Sequence, residues 1–324
     1  MKNRNAGLVI TVVCLMALAS PLYGAEERYP TRQIEFIINF PPGGPLDSVT
    51  RIIQPPLQAA LGVPIILTTK GGAAGALGTD FVAKAKPDGY TLLSTTNPSL
   101  TIAPHVNPQI PYKISDLTPV CVFGADLGFI SSKPGAPWKN LEELVEYAKK
   151  NPGKLNYGSP GLGTVAYFAM EIFKLSYGLD IVPVHFQGTG PVKNAILGGH
   201  VDLAASGFGS MGSLVKAKSI TGLVTTTVKR LPDYPDIPTM AEKGFPDACL
   251  NIWAGLFAPK QCPPVVANRI GAAMEKIMKD PAVVRQMEAA GFFIDYRNSE
   301  NTAKLIEEES KTVGKVVQKT GMGK

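Results

Sequence analysis

The feature that most constrains this chain is a strand that ends on glycine and proline and restarts as a helix, and then a second stretch that repeats the arrangement. Gln33 to Phe40 (QIEFIINF) reads as a strand, and Pro41-Pro42-Gly43-Gly44-Pro45 ends it. Asp47 precedes an apolar-periodic stretch, Val49, Ile52, Ile53 and Leu57, in which Pro56 is expected to kink or split a helix. Val63 to Thr68 and Tyr90 to Ser94 read as further strands, with a glycine-rich loop, Gly71 to Gly78, and a helix near Thr79 to Lys84 between them. Strands that alternate with helices imply a parallel sheet with helices on its faces.

The pattern restarts after a transition near Gly128 to Pro134. Leu141, Leu144, Val145 and Ala148 mark a helical face; Leu155 to Tyr157 is a short strand; Thr164 is placed to cap a helix running to about Lys174. Strands are expected at Ile181 to Phe186, Leu203 to Ser206 and Leu223 to Thr227, and Asn251 to Ala258 is expected to cross back to the first half. Helices follow at Val265 to Met278, Val283 to Ala290 and Asn301 to Val317. No long polar linker separates the two series, which favours two closely hinged lobes.

Residues 1–24 carry the three-part pattern of an export signal. Lys2 and Arg4 precede an apolar run from Ala6 to Ala19, and small residues stand at Gly24 and Ala25. The run is short for a membrane span. Removing residues 1–24 lowers the formal charge from +6 to +4, a balance compatible with anionic small ligands. With no concentrated Lys/Arg stripe, nucleic acid is not an expected partner. Three cysteines remain, so at least one thiol has no intramolecular partner. Cys249 and Cys262 could pair in an oxidising compartment; buried free thiols are the alternative.

Two loops have the composition of an anion site. Pro41 to Asp47 lies between a strand and a helix, where an open α/β sheet binds ligands. Its glycines allow close backbone approach, and the helix start offers unpaired N–H groups. Asp47 could cap the helix or accept a hydrogen bond within the loop. Gly158-Ser159-Pro160-Gly161-Leu162-Gly163-Thr164 repeats the geometry, without a full dinucleotide fingerprint or the Gly-Lys-Ser/Thr ending of a phosphate loop. Gly71 to Gly75 could be a third such loop or a close contact between helix and strand. No zinc-protease motif or nucleophile elbow occurs, and His105, His185 and His200 stand isolated, each read as structural. No catalytic residue, metal or cofactor is expected.

These residues carry a resemblance. Phe40-Pro41-Pro42-Gly43-Gly44-Pro45-x-Asp47, Lys70-Gly71-Gly72-Ala73-Ala74-Gly75 and Pro87-Asp88-Gly89-Tyr90-Thr91-Leu92-Leu93 are followed by Asn151-Pro152-Gly153-Lys154-Leu155-Asn156-Tyr157-Gly158-Ser159-x-Gly161-x-Gly163-Thr164, and later by Trp253-x-Gly255-x-x-Ala258-Pro259. Together they resemble the periplasmic solute receptors of tripartite tricarboxylate transport systems, the Bug family, over nearly all of the mature chain. The resemblance implies an α/β, two-lobed Venus-flytrap fold, each lobe a mostly parallel sheet flanked by helices. The expected limits are 26–125 with 251–324 for one lobe and 126–250 for the other. It implies a periplasmic receptor, not an enzyme, that binds a small organic carboxylate and delivers it to membrane permease subunits; a monomer is expected. A sensor presenting the acid to a membrane signalling partner is the alternative.

Carried over residue by residue, the implied ligand contacts are Gly43, Gly44, Pro45, Leu46 and Asp47 in the first loop, with Asn97, Ser159, Gly161, Gly163 and Thr164. Gln187 and Ser206 join them as departures from the family pattern. Phe186-Gln187-Gly188 replaces a common Tyr-Lys-Gly, Ala205-Ser206 replaces a frequent Phe-Asp, and Tyr167 stands where many relatives have His.

Overall fold

The computed structural model describes residues 29–107, 109–161 and 164–320, and residues 32–324 belong to one unit. The proposed export signal lies outside the described residues, as does Gly163.

From Arg32 onward the chain begins with β1 (Ile34–Ile38), α1 (Pro45–Leu61), β2 (Ile65–Thr69), α2 (Ala76–Ala83), β3 (Thr91–Thr96) and a short α3 (Ala103–Val106). Helix α1 runs unbroken through Pro55 and Pro56, contrary to the expected kink. Its stripe of Val49, Ile53, Leu57 and Leu61 is buried, whereas Pro55 is exposed. The carbonyls deprived of an N–H therefore lie away from the core, and burial of the apolar stripe keeps the helix whole.

Then come two strands that periodicity does not reveal, β4 (Leu117–Asp126) and β5 (Gly128–Ser132), separated only by Leu127. Both are buried along most of their length, so they lack the alternation that marks a half-exposed strand. The second series follows as α4 (Leu141–Lys150), β6 (Leu155–Ser159), α5 (Val165–Tyr177), β7 (Ile181–His185), α6 (Thr189–Leu197), β8 (Leu203–Gly207), α7 (Phe208–Lys216) and β9 (Thr221–Thr225). The chain returns through β10 (Ile252–Pro259) and ends with α8 (Pro264–Ile277), α9 (Pro281–Ala289), β11 (Arg297–Asn298) and α10 (Ser299–Thr320).

The strands form two sheets, ordered β11-β4-β10-β3-β1-β2 and β7-β6-β8-β5-β9. Register fixes how the sheets are joined. β10 is antiparallel to both β3 and β4, pairing Ala254 with Thr96 and Ile252 with Asp126, so β3 and β4 end on the same edge as the parallel β1. In the second sheet Gly128 at the start of β5 pairs with Gly207 at the end of β8, and β6 and β7 run parallel to β8. Both crossovers, β4 to β5 and β9 to β10, thus join the carboxyl edges of the two sheets. Those are the edges from which the glycine loops emerge.

The crossovers are tightly packed. Thr226 Oγ1 donates to Leu250 O (2.7 Å), the Gly128 amide approaches Asn251 Oδ1 (3.4 Å), and a Cβ on Gly209 would stand 2.3 Å from Gly291 Cα. The end of α10 reaches the second sheet's core, where Val313 and Val316 join Leu144, Phe168 and Phe173. Cys121, Cys249 and Cys262 are all free thiols, so the Cys249–Cys262 pairing does not form. Among the described residues no helix is long and apolar enough to cross a membrane, and no cluster of His, Cys, Asp and Glu is arranged for a metal.

Candidate ligand site at the carboxyl edges of two sheets

The first loop is anchored from beneath. Asn39, fully buried just after β1, shares its Nδ2 hydrogens among Gly75 O (3.2 Å), Thr79 Oγ1 (3.0 Å), Thr95 Oγ1 (2.8 Å) and Ser99 Oγ (3.2 Å). The Gly71 to Gly78 loop is its packing partner. A Cβ on Gly78 would lie 2.7 Å from Asn39 Cβ, and one on Gly71 would lie 3.2 Å from Pro41 N. Its glycines thus allow close approach between backbones.

Gly43 takes a left-handed φ of +75°, and its amide donates to Asp47 Oδ2 at 3.0 Å. Arg51 Nε donates to the same oxygen at 3.0 Å. Burial alone would raise the Asp47 carboxyl, but the Arg51 and Gly43 hydrogen bonds outweigh it and hold the group below its ordinary value. Asp47 is therefore ionised at neutral pH and clamps its own loop, the second of the two roles open to it from sequence. The Gly43 N–H is used inside the loop. Among the described residues the amides of Gly44, Leu46 and Asp47 have no hydrogen-bond partner. They head a 17-residue helix with Pro45 at its first position. Their N–H groups and the positive end of the helix dipole are the anion-receptive part of this edge.

The second loop is built differently. Thr164 caps α5 by accepting the Tyr167 N–H at 3.3 Å, and its own hydroxyl donates to Gly161 O at 2.8 Å. Gly161 has a φ of +141°. Ser159 is fully buried, and its Oγ lies 2.8 Å from His185 Nδ1. Phe186 N donates to Ser159 O (2.9 Å) and Gly188 N to Pro160 O (3.0 Å), which locks the loop after β7 to the loop after β6. Gln187 lies exposed between those two anchors.

Two of the named residues are enclosed. Asn97 is fully buried and donates through Nδ2 to Asn251 O (2.9 Å) and Glu309 Oε1 (2.7 Å). Thr101 Oγ1 (2.5 Å) and Trp253 Nε1 (2.7 Å) also donate to Glu309. Burial raises the Glu309 carboxyl, and these donors oppose the shift. Asn97 thus belongs to the network that ties α10 to the crossover. Ser206 is likewise fully buried, with only a long contact to Gly207 O (3.4 Å).

Sequence reasoning missed Asp126. It ends β4 and accepts the Gly209 amide at 3.0 Å, and a Cβ on Gly207 would stand 1.7 Å from its Oδ2. Burial pushes its carboxyl up to about 7 against the Gly209 and Leu127 amides. Nothing in the local sequence distinguishes it, because its environment is made by residues about eighty positions away.

Residues 49–322 match the family described as the tripartite tricarboxylate transporter family receptor. The chain belongs to that family. It is 30% identical to the protein BugT of Bordetella pertussis over 98% of both chains. Among solved structures it is similar to Rpa4515 of R. palustris with adipate, at 26% identity and a TM-score of 0.80, covering 91% of this chain and 99% of that one. It is also similar to MatC from Rhodopseudomonas palustris with bound malate, at 28% identity and a TM-score of 0.77, covering 89% and 100%. The protein is accordingly a periplasmic solute-binding receptor with the two-lobed α/β fold, and not a catalyst. Receptors of this family work with the membrane components of a tripartite tricarboxylate-type transporter.

Proposed function

We propose that the protein captures a small organic carboxylate between its two loops and delivers it, as a monomer, to membrane permease subunits. The lobes are residues 26–125 with 251–324, and residues 126–250. One carboxylate is received by the Gly44, Leu46 and Asp47 amides, with Gly43 and Pro45 shaping the loop; Gly161, Thr164 and Gln187 close over it from the other side. The observation that carries this reading is the set of unpartnered N–H groups at the head of α1, beside a loop whose one carboxylate is already neutralised by Arg51. The similar structures Rpa4515 with adipate and MatC with bound malate hold acids of the same class.

A thermal-shift and calorimetry screen of organic acids against their neutral amides tests it. A ligand that binds only the folded protein raises its apparent stability, by about 2.7 kcal/mol at a hundredfold excess over Kd. Acids are expected to raise Tm and amides to leave it unchanged; equal shifts from both reject carboxylate recognition. Domain closure is expected on saturation, because two lobes joined by short crossovers form a hinge. A small-angle scattering profile unchanged by saturating ligand would exclude closure and leave binding intact.

A further inference from the structure

β6 and β7 run side by side in parallel, with Ser159 opposite His185. Matched positions on neighbouring strands project to the same face, which is what brings Ser159 Oγ within 2.8 Å of His185 Nδ1. The Tyr167 ring, in the first turn of α5, meets the imidazole edge-on with centroids 5.2 Å apart. Ser159 and Tyr167 are buried, while His185 is exposed at the carboxyl edge of the sheet, two positions before Gln187. Among the described residues its Nε2 has no hydrogen-bond partner. A serine hydroxyl that donates to neutral Nδ1 leaves the proton on Nε2, and an imidazolium donating to Ser159 carries one there as well. With Ser159 as the donor to Nδ1, or with the ring doubly protonated, the pair presents an Nε2–H outward; the opposite neutral tautomer would leave Nε2 a bare acceptor.

We propose that His185 is the specificity-determining contact of the second lobe, whose Nε2–H receives the second carboxylate of a ligand held by its first carboxylate at the head of α1. The proposal rests on the carboxylate reading above and extends it to the far end of the ligand. Gln187, in the place of a common lysine, is neutral, so charge at this edge must come from elsewhere. The groups facing the imidazole do not compete for that role. Ser159 on β6 is neutral. Tyr167 on α5 stays un-ionised, because burial and then the nearby Glu171 raise its hydroxyl. Glu171 is occupied by the Tyr157 hydroxyl (2.6 Å) and Lys174 Nζ (2.8 Å).

Titration calorimetry provides the test. Probes are two matched pairs, adipate with hexanoate and benzene-1,4-dicarboxylate with benzoate. In the parent protein each dianion is expected to bind about fivefold more tightly than its matched monoanion, in keeping with one added hydrogen bond. His185→Gln should lower that ratio, and His185→Lys, which carries a full charge, should raise it. Ser159→Ala, which frees the ring, should reduce the ratio. A ratio in His185→Gln that follows the parent overturns the role of His185; monoanion binding that persists in that variant leaves the carboxylate reading standing. If the parent binds none of the four acids more tightly than its amide, the carboxylate reading fails and this proposal with it.

Discussion

The two loops occupy equivalent places in their sheets but are built on opposite plans. In the first, side chains serve the loop itself and the backbone is left to meet a ligand: Asn39 ties it to the next loop, Asp47 takes the Gly43 amide, and the Gly44, Leu46 and Asp47 amides remain without partners. In the second, the Phe186 and Gly188 amides tie the loop after β7 to the loop after β6, Thr164 spends its hydroxyl proton on Gly161, and the side chains of His185 and Gln187 stand exposed. Backbone donors recognise any carboxylate, whereas side chains differ from one relative to the next. On the proposed reading, generic anion capture falls to the first loop and discrimination between acids to the second.

The difference should be easiest to break by displacing one loop without touching the other. Gly78→Val would force a Cβ to within 2.7 Å of both Asn39 Cβ and Lys70 O, where the obstacles include backbone. Overpacking of that kind costs about 3 kcal/mol, and Asn39 is the residue that holds the first loop in place. Chemical denaturation should register the loss, and calorimetry a fall in affinity for mono- and dicarboxylates alike. Gly158→Ala beneath the second loop meets only side chains, Phe186, Val192 and Val201, at 3.2 to 3.4 Å. It should cost about 1 kcal/mol and change the ranking of acids more than their general affinity. Equal, uniform losses in both variants would erase the proposed division of labour.

A smaller effect separates the loop carboxylate from the hinge carboxylate. Asp47 lies below its ordinary value and Asp126 is pushed up to about 7. For Asp126, the unfolded chain releases its proton near the ordinary carboxylate value of 3.8 while the folded protein keeps it until about 7. The folded state thus binds more protons in that window, and stability falls as pH rises through it and levels off above. Asp47 acts in the reverse sense: its contribution is present above the unfolded value and is lost as pH falls through the folded one. Denaturation midpoints between about pH 5 and 8 should show an Asp126-linked decline on the order of 2 kcal/mol, absent in Asp126→Asn. An identical slope in that variant would locate the titration elsewhere. Asp47→Asn should lower stability by a constant amount across that window and flatten only the acid limb below it.

How far the sequence carries follows the same physical divide between local and long-range causes. The strand, loop and helix series, the position of both glycine loops and the Thr164 cap were legible because turn chemistry and apolar period are local. The adjoining strands β4 and β5 were not, since burial along most of each strand removes alternation and one residue separates them. Pro56 misled because tertiary burial of the Val49, Ile53, Leu57 and Leu61 stripe outweighs a local propensity. At the site, Asn97 and Ser206 are polar residues whose enclosure depends on Glu309, Asn251 and Phe129, contacts that no spacing reveals. His185 reads as isolated along the chain and acquires neighbours only when β6 and β7 pair.

The finest test of the contrast is Thr164. Its position at the second loop suggests a hydroxyl donor to the ligand, but its proton already goes to Gly161 O and its oxygen accepts the Tyr167 amide. A hydroxyl has one proton to give, so donation to a ligand requires release of Gly161. If the bonds persist with ligand bound, Thr164 acts as a helix cap. Thr164→Ala should then destabilise the fold by about 1 kcal/mol, as lost N-caps do, while affinity for any acid changes little. Thr164→Ser, which keeps the hydroxyl, should restore the stability. Should Thr164→Ala instead leave stability unchanged and weaken every acid about tenfold, the loss expected when a hydrogen bond to a charged group disappears, then the hydroxyl turns to the ligand on binding. The second loop would in that case share in generic capture, and discrimination would rest on His185 and Gln187 alone.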